Sequence, residues 1–199
     1  EGDKIAIVAK NGSGKSTLLK ILMGKEIADS GNVVINKDIQ VVLFDQEIDF
    51  ESDLTIEEFM MTLDSAPILA LKKYHHALLA GNPDEMETAL AEMKIHKAWD
   101  LENEMSQILS QLKITDLTAK MGMLSGGQIK RVALAKLLTE TRAEHRHTLL
   151  IMDEPTNHLD VEMVEWLESY LNKAKITLLL VTHDRYFLDA VCGIIWEME

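Results

Sequence analysis

The run Ala9-Lys10-Asn11-Gly12-Ser13-Gly14-Lys15-Ser16 sets two glycines, a lysine and a hydroxyl at the spacing a phosphate chain requires. A small residue, four others, then Gly-Lys-Ser makes a loop whose backbone N–H groups can converge on one anion. Gly12 and Gly14 let the backbone curl close to the oxygens with no Cβ in the way. Lys15 supplies a mobile point charge for the β and γ phosphates, the Ser16 hydroxyl suits a bridging Mg²⁺, and Thr17 suits the α-phosphate. A second chemical pair, Asp153 and Glu154, follows four apolar residues. Of two adjacent carboxylates, one can stay ionised on a metal while the other polarises an attacking water. His183, in LLLVTHD, closes another apolar run and is placed to reach a γ-phosphate from the same edge.

These groups work together only if the elements around them bring them to one edge. KIAIVA before the glycine loop reads as a buried strand, and KSTLLKILMG after it as a helix with Leu18, Leu19 and Leu22 on one side and Gly24 at its end. GNVVI and IQVVLF read as two strands of a hairpin around Asn36-Lys37-Asp38. Residues 148–152 and 176–181 are apolar without alternation, as in central parallel strands covered on both faces. The carboxylates and His183 then stand at carboxyl ends of strands, where ligands bind in open α/β sheets. VEMVEWLESYLNKA between them is a helix, with Trp166 a core or docking residue.

From about Thr55 to Leu112 the period changes to that of helices, with Ile56, Phe59, Met60 and Leu63 in one stretch and Met86, Leu90 and Met93 in another. GNPD between them predicts a helical hairpin, Asn82 capping and Pro83 opening the second helix. The many carboxylates of this region read as a solvated face. IKRVALAKLL after LSGGQ is amphipathic, with Ile129, Val132, Ala133 and Leu137 on one side, and TETRAEHRH reads as a polar loop.

With 199 residues, 47% hydrophobic and 27% charged, the composition fits one globular domain and excludes collagen-like or disordered chains. A net charge of −13 repels phosphate backbones, which argues against non-specific nucleic-acid binding. The lone Cys192 forms no internal disulfide and reads as a buried, inert thiol, in keeping with a reducing cytoplasmic location. No apolar run is long enough for a membrane helix, so direct membrane insertion is not expected. His75, His76, His96, His145 and His147 form no ligand set and read as surface residues.

AKNGSGKST, Gln46 after a strand, LSGGQ at residues 124–128, LLIMDEP and VTHD stand in a fixed order that resembles the nucleotide-binding domain of the ABC ATPases over nearly the whole chain. The resemblance implies an α/β P-loop NTPase fold with a mostly parallel sheet, a small antiparallel β part and a helical subdomain carrying an arm-like hairpin. It implies one ABC domain over 1–199, with the helical part inserted at about 52–140. ATP and Mg²⁺ would be bound by Asn11, Gly12, Ser13, Gly14, Lys15, Ser16 and Thr17, with Gln46 in the Q-loop, Asp153 and Ser16 toward the metal, Glu154 as catalytic base and His183 as switch histidine. Gln46 would also ligate the metal, and Asn157 to Asp160 would form the D-loop, Asp160 touching nucleotide. Ser125, Gly126, Gly127 and Gln128 would complete the ATP site of a second ABC domain, in tandem in the full-length chain or in a homodimer, so a lone copy should be monomeric without ATP and hydrolyse slowly. DEPTNHLD and HDRYFLD, with the long helical interval, resemble the ABC-F group, particularly its Uup-like members. That branch implies two tandem ABC domains in a soluble protein acting on ribosomes or nucleic-acid structures; the alternative is the motor subunit of a membrane transporter. It also places the first strands and the adenine-stacking aromatic residue upstream of Glu1, and a second ABC domain beyond Glu199. An excised first domain of that kind should bind nucleotide weakly, base stacking being worth ~1–3 kcal/mol.

Overall fold

The computed structural model describes residues 2–10, 13–45, 48–143 and 147–198, with the side chain of Ser16 also left aside. The chain divides into two compact units, Glu1–Glu47 with Arg146–Glu199, and Ile48–His145.

In the first unit, five strands form one sheet: β1 (Lys4–Ala9), β2 (Ile39–Phe44), β3 (His147–Asp153), β4 (Thr177–Val181) and β5 (Ile194–Met198), in the order β2-β3-β4-β1-β5. Every pairing is parallel. Helices α1 (Lys15–Leu22), α7 (Val161–Lys173) and α8 (Arg185–Val191) link the strands. Leu19 of α1 packs on Ile7, Ile151, Leu179 and Val181, so one helix seals one face over three adjacent strands. The apolar runs of β3 and β4 are buried along almost their whole length, as strands covered on both faces must be. Gly24 takes a left-handed φ of 68° just past the end of α1, the conformation that ends a helix.

Two expectations are corrected here. GNVVI forms no strand: residues 32–36 are irregular, and Val34 is 90% exposed. The Asn36 side chain accepts from the Asp38 N–H, turning the chain into β2, which then pairs in parallel with β3 instead of folding back on a hairpin partner. The small antiparallel part is accordingly reduced, among the described residues, to a single bridge between Thr55 and Lys120. β5 is an element not expected from the sequence. Its residues are mostly exposed, so burial left no alternation to see, and pairing with β1 alone defines it.

The second unit is helical: α2 (Ile56–Met60), α3 (Ala66–Ala80), α4 (Pro83–Ile95), α5 (Ala98–Gln111), a 3-10 turn at Met121–Met123 and α6 (Gly126–Ala143). Gly81, at φ 64°, ends α3, and the Asn82 side chain accepts from the Asp84 N–H to start α4 with Pro83 in its first turn. The hairpin forms as read. Lys73 on α3 pairs with Glu92 on α4 at 2.8 Å. Leu63, Ile68, Leu101 and Ala143 share a buried cluster.

Helix α6 differs from its expected stripe. Leu134, Ala135 and Leu138 are buried with Val132 and Leu137, while Ile129 and Ala133 are only partly covered, so the helix is enclosed on most of its circumference. TETRAEHRH is not a loop as a whole: α6 runs to Ala143, and β3 starts at His147. Thr139 and Thr141 are buried there because their hydroxyls donate to the Ala135 and Leu138 carbonyls at 2.9 and 2.7 Å. Among the described residues no helix is long and apolar enough to cross a membrane.

Candidate functional site

The parallel register fixes where the chemistry gathers. Ile7 of β1 lies beside Val181 of β4, and Val181 beside Asp153 of β3, so the loop after β1, the Asp153-Glu154 pair and the Thr182-His183 pair all leave the sheet at its carboxyl edge. Central strands β3, β4 and β1 are consecutive in the sheet, which makes these loops neighbours.

At the glycine loop, Gly14 precedes α1 at φ 92°, a conformation open to glycine at no cost and strained for other residues. It brings no side-chain cap, so the N–H groups of the first turn point outward without an internal acceptor. Lys15 folds back over the loop: its Nζ donates to the carbonyls of Ala9 and Lys10, each at 2.9 Å. The Ser13 hydroxyl is buried with no hydrogen-bond partner. An orphaned buried hydroxyl, uncapped helix N–H groups and an ammonium held across the loop are the donor set an anion would satisfy. The residues present fit a phosphate. Thr17 is exposed on α1; Asn11, Gly12, the Ser16 side chain and Gln46 lie outside the described residues.

Asp153 is buried at the end of β3, 8% exposed. Glu154 leaves the strand at φ 50°, rare for a residue with a Cβ, and its N–H donates to the Val181 carbonyl at 2.8 Å. Its Oε2 accepts from the Thr182 hydroxyl at 3.3 Å and the His183 N–H at 3.4 Å, and its Oε1 is 3.7 Å from His183 Nε2. Glu154 is thus mostly enclosed while His183 is open to solvent, their side chains 13% and 61% exposed. Sequence reading found both partners and missed Thr182. Its only signal was a hydroxyl wedged between the apolar run of β4 and the histidine.

After Glu154 the chain turns tightly, with the Asn157 N–H on the Glu154 carbonyl at 3.2 Å and His158 at φ 72°. Asp160 ends the turn as the cap of α7, accepting from the Met163 N–H at 3.0 Å. In the helical unit, Ser125 and Gln128 bond reciprocally: the Ser125 N–H donates to Gln128 Oε1 at 2.8 Å and the Gln128 N–H to Ser125 Oγ at 3.3 Å. That capping box starts the 18-residue α6 and leaves Gly126 exposed at a positive helix end.

Other candidates are less chemical. His75 lies 3.9 Å from Glu57 and 3.7 Å from Glu102, and His76 3.8 Å from Glu85, but among the described residues no group of three or more His, Cys, Asp or Glu side chains gathers as a metal-ligand cluster. Cys192 is partly rather than fully buried, and burial still pushes its thiol up to about 11. Trp166 is half-covered and tilts against Tyr170, with ring centroids 5.4 Å apart, so it belongs to the surface of α7 and not to the core.

Comparison with known proteins adds relatives to this geometry. Residues 1–157 match the family described as "ABC transporter". The uncharacterized ABC transporter ATP-binding protein YfmR of Bacillus subtilis is 39% identical over 100% of this chain, which covers 32% of that protein. The energy-dependent translational throttle protein EttA of Escherichia coli is 36% identical over 100% of the chain and 36% of its own length. The ATP-binding protein Uup of Escherichia coli is 30% identical, with 100% and 32% covered. Among solved structures, one described as a model of ribosome-bound archaeal Pelota and ABCE1 superposes with a TM-score of 0.66 at 27% identity, covering 100% of this chain and 28% of that one. The chain therefore spans about a third of the length of the curated relatives it matches.

Proposed function

Given that the chain belongs to the ABC transporter family, we propose that it binds ATP at the turn between β1 and α1 and hydrolyses it with Glu154 as the base. The observation that carries this reading is the Glu154–His183 pair, 3.7 Å apart, at the sheet edge the glycine loop also leaves.

The first-turn N–H groups of α1 and the Ser13 hydroxyl take the phosphate oxygens. Lys15 trades the Ala9 and Lys10 carbonyls for the β and γ phosphates, moving its charge by a rotation of its own side chain. Ser16, Gln46 and Asp153 are the residues that would hold Mg²⁺, which would supply charge neutralisation at the phosphates. Glu154 orients water for in-line attack, and His183, from the adjacent strand end, contacts the carboxylate and the γ-phosphate. Catalysis here is positioning plus electrostatic stabilisation.

Ser125, Gly126, Gly127 and Gln128 are proposed to serve the ATP held by a second ABC domain, and Asp160 to lie at that junction. Exposure of Ser125, Gly126 and Gln128 at the start of α6 supports this role. The chain is read as one ABC domain over 1–199, the helical part at about 52–140 being an insertion. Likeness to EttA and Uup, together with DEPTNHLD, favours the ABC-F branch and, in the full-length protein, work on the ribosome.

Full-length protein carrying Glu154→Gln tests the reading. ATP binding is expected to persist while the hydrolysis due to this site is lost and an ATP-bound closed state accumulates. Turnover equal to wild type in that variant would require another base.

A further inference from the structure

We infer that Thr182 is a positioning residue for this reaction, holding the Glu154 carboxylate in the orientation that aims the attacking water; the inference rests on Glu154 being the base. Thr182 is buried, 6% exposed, in the step between β4 and His183. Its Oγ1 accepts the Asp184 N–H at 3.1 Å and lies 3.3 Å from Glu154 Oε2. A hydroxyl has one proton, and an ionised carboxylate only accepts. With the Asp184 amide occupying one side of the oxygen, the proton is directed at Glu154.

The rest of Glu154 is already fixed. Its N–H is tied to the Val181 carbonyl at 2.8 Å, its own carbonyl accepts from Asn157 at 3.2 Å, and its φ of 50° is imposed by that turn. These ties fix the backbone, so the side-chain torsions are what set where the carboxylate points. Thr182 and the His183 N–H both act on Oε2, which leaves Oε1, 3.7 Å from the imidazole, as the oxygen to aim the water. These two hydrogen bonds are long, as catalytic ones commonly are before substrate is bound. The Asp184 amide gives the arrangement rigidity, because Asp184 also caps α8 through the Phe187 N–H at 3.1 Å. The hydroxyl is therefore anchored to a helix start and not to a loose loop.

The test uses the full-length protein, with the turnover removed by Glu154→Gln defining this site's share. Thr182→Val keeps the β-branched shape and removes the hydroxyl. It is expected to lower that share of kcat about 10- to 100-fold, the cost of a misaimed reacting group, with KM and ATP affinity unchanged. Thr182→Ser restores the rate, and Thr182→Val adds no further loss in the Glu154→Gln background. Thr182→Ala, read by the same kcat and KM split, serves if the valine variant does not fold. A wild-type kcat in either variant, or a loss of rate and ATP affinity together that serine fails to rescue, overturns the positioning role. If Glu154→Gln itself spares hydrolysis, the fault lies with the assignment of the base, and the role of Thr182 falls with it.

Discussion

Lys15 is held in its resting position by two carbonyl acceptors of its own loop, an arrangement that keeps an ammonium solvated by protein until phosphate arrives. Hydrogen bonds to a charged group are worth about 1.5–3 kcal/mol, so Lys15→Ala should weaken ATP binding by about 10- to 100-fold, measured by titration of labelled nucleotide on the full-length protein. Lys15→Arg should not rescue it, because a planar fork cannot replace a compact point charge in a loop this tight. At Cys192, burial raises the thiol from 9.0 to about 11. A raised thiol means the folded state holds its proton more tightly than the unfolded one. This contribution to stability is complete below pH 9.0 and is lost as pH climbs toward about 11. Alkylation at pH 8 should accordingly be slow in the folded protein and fast after denaturation; equal rates in both states would show the thiol to be open.

Short elements in this chain are set by local caps, longer ones by their neighbours. Thr55 and Glu58 form a reciprocal capping box on α2: the Glu58 N–H donates to Thr55 Oγ1 at 3.2 Å and the Thr55 N–H to Glu58 Oε2 at 2.8 Å. The Thr55 N–H, and after it the Thr55 hydroxyl at 3.0 Å, donate to the Glu58 carboxylate and hold it below its ordinary value, so the box stabilises above the carboxylate range and weakens as pH falls through it. Thr55→Ala should lower stability in a denaturant melt at neutral pH, and by a smaller margin as pH falls through the carboxylate range. The same locality explains what could be read in advance. Asn82 and Pro83 announce α4 because a cap needs only its own neighbours, and the Gly-Lys-Ser loop is legible because an anion nest is built from consecutive residues. Val33 to Ile35 look like a strand in isolation and form none, since a strand exists only with a partner, and the partner of β2 is β3. β5 fails the opposite way, its exposed residues hiding a pairing that β1 alone supplies. Thr182 escaped notice for a third reason: its role depends on Glu154, a residue 28 positions away that only the β3–β4 register brings close.

For the whole molecule, the reading asks for two ATP-binding domains, because one set of N–H groups and one lysine leave part of the γ-phosphate uncovered. A net charge of −13 adds a condition, since a field of that sign disfavours attraction of this domain to an RNA surface. A strictly monomeric sample of residues 1–199 should turn over ATP far more slowly than the full-length protein; robust activity from the monomer would refute the shared site. The most direct measurement is a structure of the full-length Glu154→Gln protein with Mg-ATP. The account predicts the triphosphate in the turn between β1 and α1, Lys15 released from Ala9 and Lys10 onto the β and γ phosphates, and residue 154 facing the terminal phosphorus. Nucleotide seated in another crevice, or that turn left empty with Lys15 still on its own carbonyls, would contradict it.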